Sequence, residues 1–231
     1  MLKKINHLSH PAVRFLSILL LTSLGLTACA QPTPSTTVSS QPTGTTAPAS
    51  GQNTITIQGV ILTNGTVFVT EAPALYRLSN DMLSIQLPAG SPSYKPGALV
   101  EFTIQDAIRE SYPPQATAIS SRLIKETSST IIAPINLGPN LQMHLGDAAV
   151  LIDVRTPQEF AEGHLAGALN IPLNDIQKVI ASQVPDKNKT ILLYCRSGNR
   201  SATAANQLKK LQYAVVFDLG GVNSFTGDLV K

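Results

Sequence analysis

Residues 194–205 read YCRSGNRSATAA. Upstream, Thr190–Cys195 (TILLYC) is an unbroken apolar run of the kind found in buried parallel strands. Downstream, Ser201–Gln212 reads as a helix with Ala202, Ala205, Leu208 and Leu211 on one face. Cys195 therefore falls at the carboxyl end of a strand and just ahead of a helix, where an open α/β sheet gathers its ligands. Gly198 and Asn199 tolerate left-handed backbone angles, so the turn can curl its N–H groups inward, and the helix adds its positive end at the same point. Arg196 and Arg200 add whole charges. Each feature favours a negative sulfur, so the Cys195 thiolate is expected at neutral pH, where an ordinary thiol of pKa ~8.5 is mostly protonated. The turn reads as an anion cradle around a nucleophile; an inert buried cysteine would need neither the glycine turn nor the arginines.

The same alternation extends outward from this turn. Val150–Val154, Ala168–Ile171 and Ala214–Leu219 are further short apolar runs, with helical patterns at Thr156–Glu162 and Leu173–Ser182. From about Ile131 to the end, the pattern predicts a mainly parallel sheet covered by helices on both sides, the α/β class. Thr54–Thr127 differs. TITIQGVILTNGTVFVTEA alternates on both sides of Asn64-Gly65, a pair suited to a tight hairpin, and Leu83–Leu87, Leu99–Ile104 and Ala116–Ile124 are further strands. Five strands in so short a segment predict a small all-β domain, a sandwich or an OB-like barrel. It carries no catalytic constellation, and its expected role is a spacer or a contact surface for a protein partner.

The amino terminus is of another kind. Lys3, Lys4 and Arg14 precede an uncharged apolar stretch, Phe15–Ala28, shorter than the ~20 residues that cross a bilayer, so residues 1–28 are expected to be an export signal. Leu26-Thr27-Ala28-Cys29 resembles the lipobox of bacterial lipoproteins, which implies that Cys29 is lipidated and anchors an exported protein to a membrane. Residues 29–53, rich in Pro, Thr and Ser and without charge, are expected to form a disordered tether. Three of the 17 Lys/Arg and none of the 14 Asp/Glu lie in the signal, which leaves 14 of each and gives a nucleic-acid partner no electrostatic support. With Cys29 lipidated, Cys195 has no disulfide partner, and the four histidines (His7, His10, His144, His164) match no familiar zinc spacing. No metal or cofactor is expected.

DVRTPQEFAEGHLAGALNIP (Asp153–Pro172), YCRSGNRS and LGG (Leu219–Gly221), in this order, are similar to the rhodanese domain, and the likeness covers residues 131–231. The resemblance implies a three-layer α/β fold and a sulfurtransferase. Cys195 would take a sulfane sulfur from a small anionic donor such as thiosulfate and pass it to cyanide or a thiol. Arg196 and Arg200 would bind the oxyanion end of the donor, while Ser197 and the amides of Gly198, Asn199 and Ser201 line the pocket. Asp153 and Arg155 are expected to be structural, with Arg155 pairing with Glu159, and His164 belongs to the scaffold. Phe225 stands where the family often has tryptophan. Two other readings stay open on the same fold: a phosphatase or arsenate reductase, and a non-catalytic sulfur carrier or docking module. Four residues separate Cys195 from Arg200, whereas cysteine phosphatases use five, which favours sulfur chemistry.

Overall fold

Apolar side chains along Thr190–Cys195 point alternately to two different cores. Leu192 and Tyr194 enter one, while Ile191, Leu193 and Cys195 enter the other, as a strand buried on both faces requires. This is the central strand of the carboxyl-terminal domain in a computed structural model that describes residues 53–231 except 77, 79, 127 and 128. The expected signal, Cys29 and residues 29–52 of the tether lie outside the described residues.

The chain first forms β1 (Thr54–Ile61), β2 (Val67–Glu71), β3 (Met82–Gln86), β4 (Leu99–Gln105) and β5 (Gln115–Lys125). They close into a barrel in the order β1-β2-β3-β5-β4, antiparallel throughout except for the β3–β5 pair. This closed five-strand barrel answers the OB-like expectation. Ile55, Ile57, Val67, Val69, Val100, Phe102 and Ile104 fill its interior. Leu62 and Thr66 close the β1–β2 hairpin through the Leu62 N–H and the Thr66 carbonyl.

The second domain contains β6 (Ser129–Ile132), α1 (Gly138–Leu145), β7 (Ala149–Asp153), α2 (Pro157–Glu162), β8 (Leu169–Asn170), α3 (Ile176–Gln183), β9 (Thr190–Cys195), α4 (Asn199–Lys210) and β10 (Val215–Gly221). Its five strands are all parallel, in the order β6-β10-β9-β7-β8. Ile176, Ile180, Ala204, Ala205 and Leu208 cover one face, and Leu141 and Leu145 of α1 cover part of the other. The layers are those expected, but the buried face of α4 is rotated: Ser201, Ala204, Ala205 and Leu208 are inside, whereas Ala202 is exposed.

The barrel is not a detached spacer. Val60, Leu62, Phe68 and Met82 leave its outer surface and enter the same core as Ile131, Val215, Phe217 and Leu219. Phe68 meets Phe217 edge-on with centroids 4.9 Å apart, the geometry that aromatic quadrupoles prefer. Thr63 donates to the Asn188 carbonyl and lies 2.9 Å from the Thr190 hydroxyl, and Gly97 packs on the Ala214 carbonyl. Thr190 opens β9 and Ala214 precedes β10, so the barrel sits at the amino ends of these strands. Cys195 is at the opposite end.

Candidate active site

Cys195 is the last residue of β9 and is 1% exposed. Gly198 follows with φ +103°, a left-handed angle that an L side chain rarely adopts, and serves as the N-cap of α4 with no side-chain cap. That single angle turns the chain so that the Gly198 N–H donates to Sγ at 3.1 Å. Burial alone would push the thiol up. The amides of Ser201, Gly198 and Ser197 outweigh it and hold Cys195 below its ordinary value.

The loop rests on the glycine pair that ends β10. Gly221 is in register with Cys195, and a Cβ there would lie 2.5 Å from the Arg196 carbonyl and 2.6 Å from Ser197 Cα. Glycine at 221 is thus dictated by a backbone-on-backbone contact. The Asn223 N–H also donates to the Arg196 carbonyl, tying the loop to the chain beyond β10.

The Asp153–Pro172 motif builds the other wall. The buried Asp153 carboxylate, at the end of β7, accepts from the Arg155 N–H, Nε and a terminal guanidinium nitrogen, the last at 2.6 Å; Arg155 donates also to the Gly163 carbonyl. Asn170 donates from Nδ2 to the carbonyls of Asp153 and Arg155. Next comes a capping box: the Glu159 N–H donates to the Thr156 hydroxyl oxygen, while the Thr156 N–H donates to Glu159. The expected Arg155–Glu159 pair is not made. Arg155 lies ahead of the helix and turns back to Asp153, and Glu159 takes Arg200 instead, through two bonds of 2.7 Å. Held first by Arg200, and then by Thr156, against the opposing effect of burial, the Glu159 carboxyl is lowered to about 2.

All seven loop residues read from the sequence, Cys195 to Ser201, come together, in different roles. Arg200 is a held cation beside the sulfur, its own ionisation reinforced first by Glu159 and then by Cys195. Arg196 is exposed, makes no ion pair among the described residues, and lines a cleft of about 310 Å³ with Arg155, Glu159, Glu162, Asn223 and Leu229. Ser197 and Asn199 are exposed, and Ser201 is buried beneath the sulfur. His164 stacks on Phe160 and contacts its carbonyl through Nδ1 at 3.0 Å, as scaffold. Phe225 packs against the core that it shares with Leu219 and Val222. Glu159 is named in the sequence reading but with Arg155 as its partner, although the Thr-x-x-Glu spacing already marks it as a cap. Asp218 is the carboxylate that the reading omits, visible only as a lone charge in an apolar strand.

A thiol whose ionisation backbone amides favour, at the carboxyl end of a parallel sheet with a fixed arginine beside it, defines a class of cysteine-nucleophile sites. A family model described as the rhodanese-like domain matches residues 140–228. The thiosulfate sulfurtransferase PspE of Escherichia coli (strain K12) is 40% identical over 80 residues, 35% of this chain and 77% of PspE. A sulfurtransferase of Allochromatium vinosum is 37% identical over 84 residues, 36% of this chain and 77% of the relative. A solved structure described as rhodanese with anions from E. coli is 38% identical, with a TM-score of 0.35, and the match covers 36% of this chain and 98% of that one. The chain belongs to the rhodanese-like family through its carboxyl-terminal domain, and the barrel lies outside the residues that the family model matches.

Proposed function

We propose that this protein is a sulfurtransferase that carries a sulfane sulfur on Cys195. The Cys195 thiolate attacks the outer sulfur of thiosulfate, forming a new S–S bond. The S–S bond of thiosulfate breaks, and its electron pair leaves with sulfite. The enzyme is left as a persulfide anion. Cyanide or a thiolate then attacks the terminal sulfur, departs as thiocyanate or a new persulfide, and returns the thiolate. Every species bound at the sulfur is anionic, and the observation that carries the reading is the converging set of amides, with the Gly198 N–H at 3.1 Å from Sγ. Such donors act in a water-poor site without reorganisation. Arg196, the unpaired cation of the cleft, is the group for the sulfonate end of the donor.

The phosphatase alternative needs an arginine whose two terminal nitrogens can face a phosphate. Here both are bound to Glu159, and the loop has four residues between Cys195 and Arg200. Thiosulfate-dependent thiocyanate formation and aryl phosphate hydrolysis, measured on one preparation, test this. Turnover of thiosulfate without phosphatase activity is expected, and loss of turnover in a folded Cys195→Ser protein. Efficient phosphate hydrolysis with no use of thiosulfate would replace the reading. A single sulfur loading without turnover would make the domain a carrier.

The same proposal includes export and a lipid on Cys29, supported by Leu26–Cys29 following a basic and apolar leader. The protein is then expected in the membrane fraction and Cys29→Ser in the soluble or unprocessed one. Mass spectrometry of a mature chain with unmodified Cys29 would refute the anchor.

A further inference from the structure

Asp218 sits inside β10 among Phe217, Leu219 and Val216, and is 8% exposed. It forms no ion pair among the described residues. A carboxylate in such a place is costly unless donors surround it. A polar side chain at this point of the strand needs a reason.

The reason lies in its hydrogen bonds. One oxygen, Oδ1, accepts from the Ser201 hydroxyl at 2.6 Å and from the Gly220 N–H at 3.0 Å. These donors belong to the two halves of the sulfur site. Ser201 lies in the first turn of α4, and its N–H is directed at Sγ. Gly220 precedes Gly221, the seat on which the Arg196-Ser197 backbone rests. The Ser201 hydroxyl has a single proton and three acceptors in range: Asp218 Oδ1, the Gly198 carbonyl at 2.9 Å and the Gly220 carbonyl at 3.3 Å. Asp218 Oδ1, at the shortest distance, holds it.

We propose that Asp218 is the positioning residue of the sulfur cradle, a single oxygen that clamps the start of α4 to the glycine seat and so fixes the curvature of the Cys195–Ser201 loop. It does not touch the reacting atoms. Its acceptor oxygen is the functional feature, and its charge is incidental, so the isosteric amide can replace it. The inference rests on the sulfurtransferase reading for its biological meaning, but the geometry concerns the thiolate itself.

The experiment uses the full chain and two variants, Asp218→Ala and Asp218→Asn. The rate of Cys195 alkylation by iodoacetamide is followed against pH, together with thiosulfate:cyanide turnover. Alkylation requires no sulfur donor, so a wild-type protein that alkylates normally but ignores thiosulfate would defeat the sulfurtransferase reading and leave this test standing. In Asp218→Ala the midpoint of the alkylation profile is expected to move to higher pH and kcat to fall about tenfold, less than the ~10²-fold typical of deleting an oxyanion donor outright. Asp218→Asn is expected to restore the profile and kcat to within about twofold. If the alanine variant does not fold, the asparagine variant decides alone: a wild-type profile supports the clamp, and a shifted one overturns it. An Asp218→Ala protein with wild-type profile and turnover overturns it also.

Discussion

Gly221→Ala asks whether the seat beneath the cysteine loop is as tight as it looks. The added Cβ meets the Arg196 carbonyl oxygen at 2.5 Å, Ser197 Cα at 2.6 Å and Ser197 C at 2.9 Å. All three are backbone atoms, so no side chain can swing aside. Ordinary contact begins at 3.4 Å, so the loop and β10 must separate by roughly an ångström. Overpacking of this kind costs about 1–3 kcal/mol of stability, and the domain should remain folded. The functional effect should be larger. A displacement of about an ångström in a catalytic constellation costs on the order of 10²-fold, and here it moves the Ser197 and Gly198 amides relative to Sγ. Thiocyanate formation at saturating thiosulfate and cyanide, with a thermal melt in parallel, separates the two effects. A melt lowered by a few degrees with kcat within twofold of wild type would refute the idea that this seat holds the loop in its working shape.

Glu159→Gln removes the charge and one of the two oxygens that hold Arg200, and turnover is expected to fall by about tenfold, within the ~10²-fold that misplacement can cost; unchanged turnover would remove Arg200 placement from the mechanism. The Glu159 carboxyl lies at about 2 in the folded protein, below its ordinary 4.5. The stability that the pair contributes is therefore whole above about pH 4.5 and lost as pH falls through about 2, so the stability difference between wild type and Glu159→Gln should shrink only in that acid window. Cys195, held below its ordinary value by the loop amides, should reach half its maximal alkylation rate at a lower pH than a free cysteine peptide titrated alongside it; a midpoint at or above the peptide's would contradict the cradle. Phe68→Ala empties a buried site against Phe217 and is expected to cost about 3–5 kcal/mol, on the order of 10 °C at 2–4 °C per kcal/mol. It should lower one cooperative transition for both domains without changing kcat, and two separate melts with only the first shifted would show that the domains fold apart.

The central strand and its loop were legible because a run buried on both faces, a glycine turn and a helix leave separate marks in sequence. Thr190–Cys195 spans the observed strand from end to end. Other elements left no such mark. β6 is a four-residue edge strand with Ile131 inside and Ile132 81% exposed, too short to show a period. α1 begins Gly-Pro-Asn, and only Leu141 and Leu145 of its larger side chains are buried. The face of α4 was misjudged because alanines stand on several sides, and the buried side is set by Ser201, a polar residue held by Asp218. Arg155 was paired with Glu159 by a rule for helix neighbours, but α2 begins at Pro157 and Arg155 is not on it. The partnership of Asp218 and Ser201 joins residues 17 apart, across the length of α4 and the turn into β10, and no local pattern reports it.

The aromatic contact between Phe68 and Phe217 has a consequence for the history of the chain. Two domains that only share a polypeptide can be exchanged, shortened or lost by recombination, each keeping its own fold. Here the outer face of the barrel is the missing wall of its neighbour's core, so a cut between them leaves greasy surface on both pieces. Selection must then act on the pair. Substitutions at 68 should be tolerated mainly when 217 changes in the complementary sense, large for small or ring for aliphatic, while the cysteine loop at the far end of the strands drifts on its own schedule.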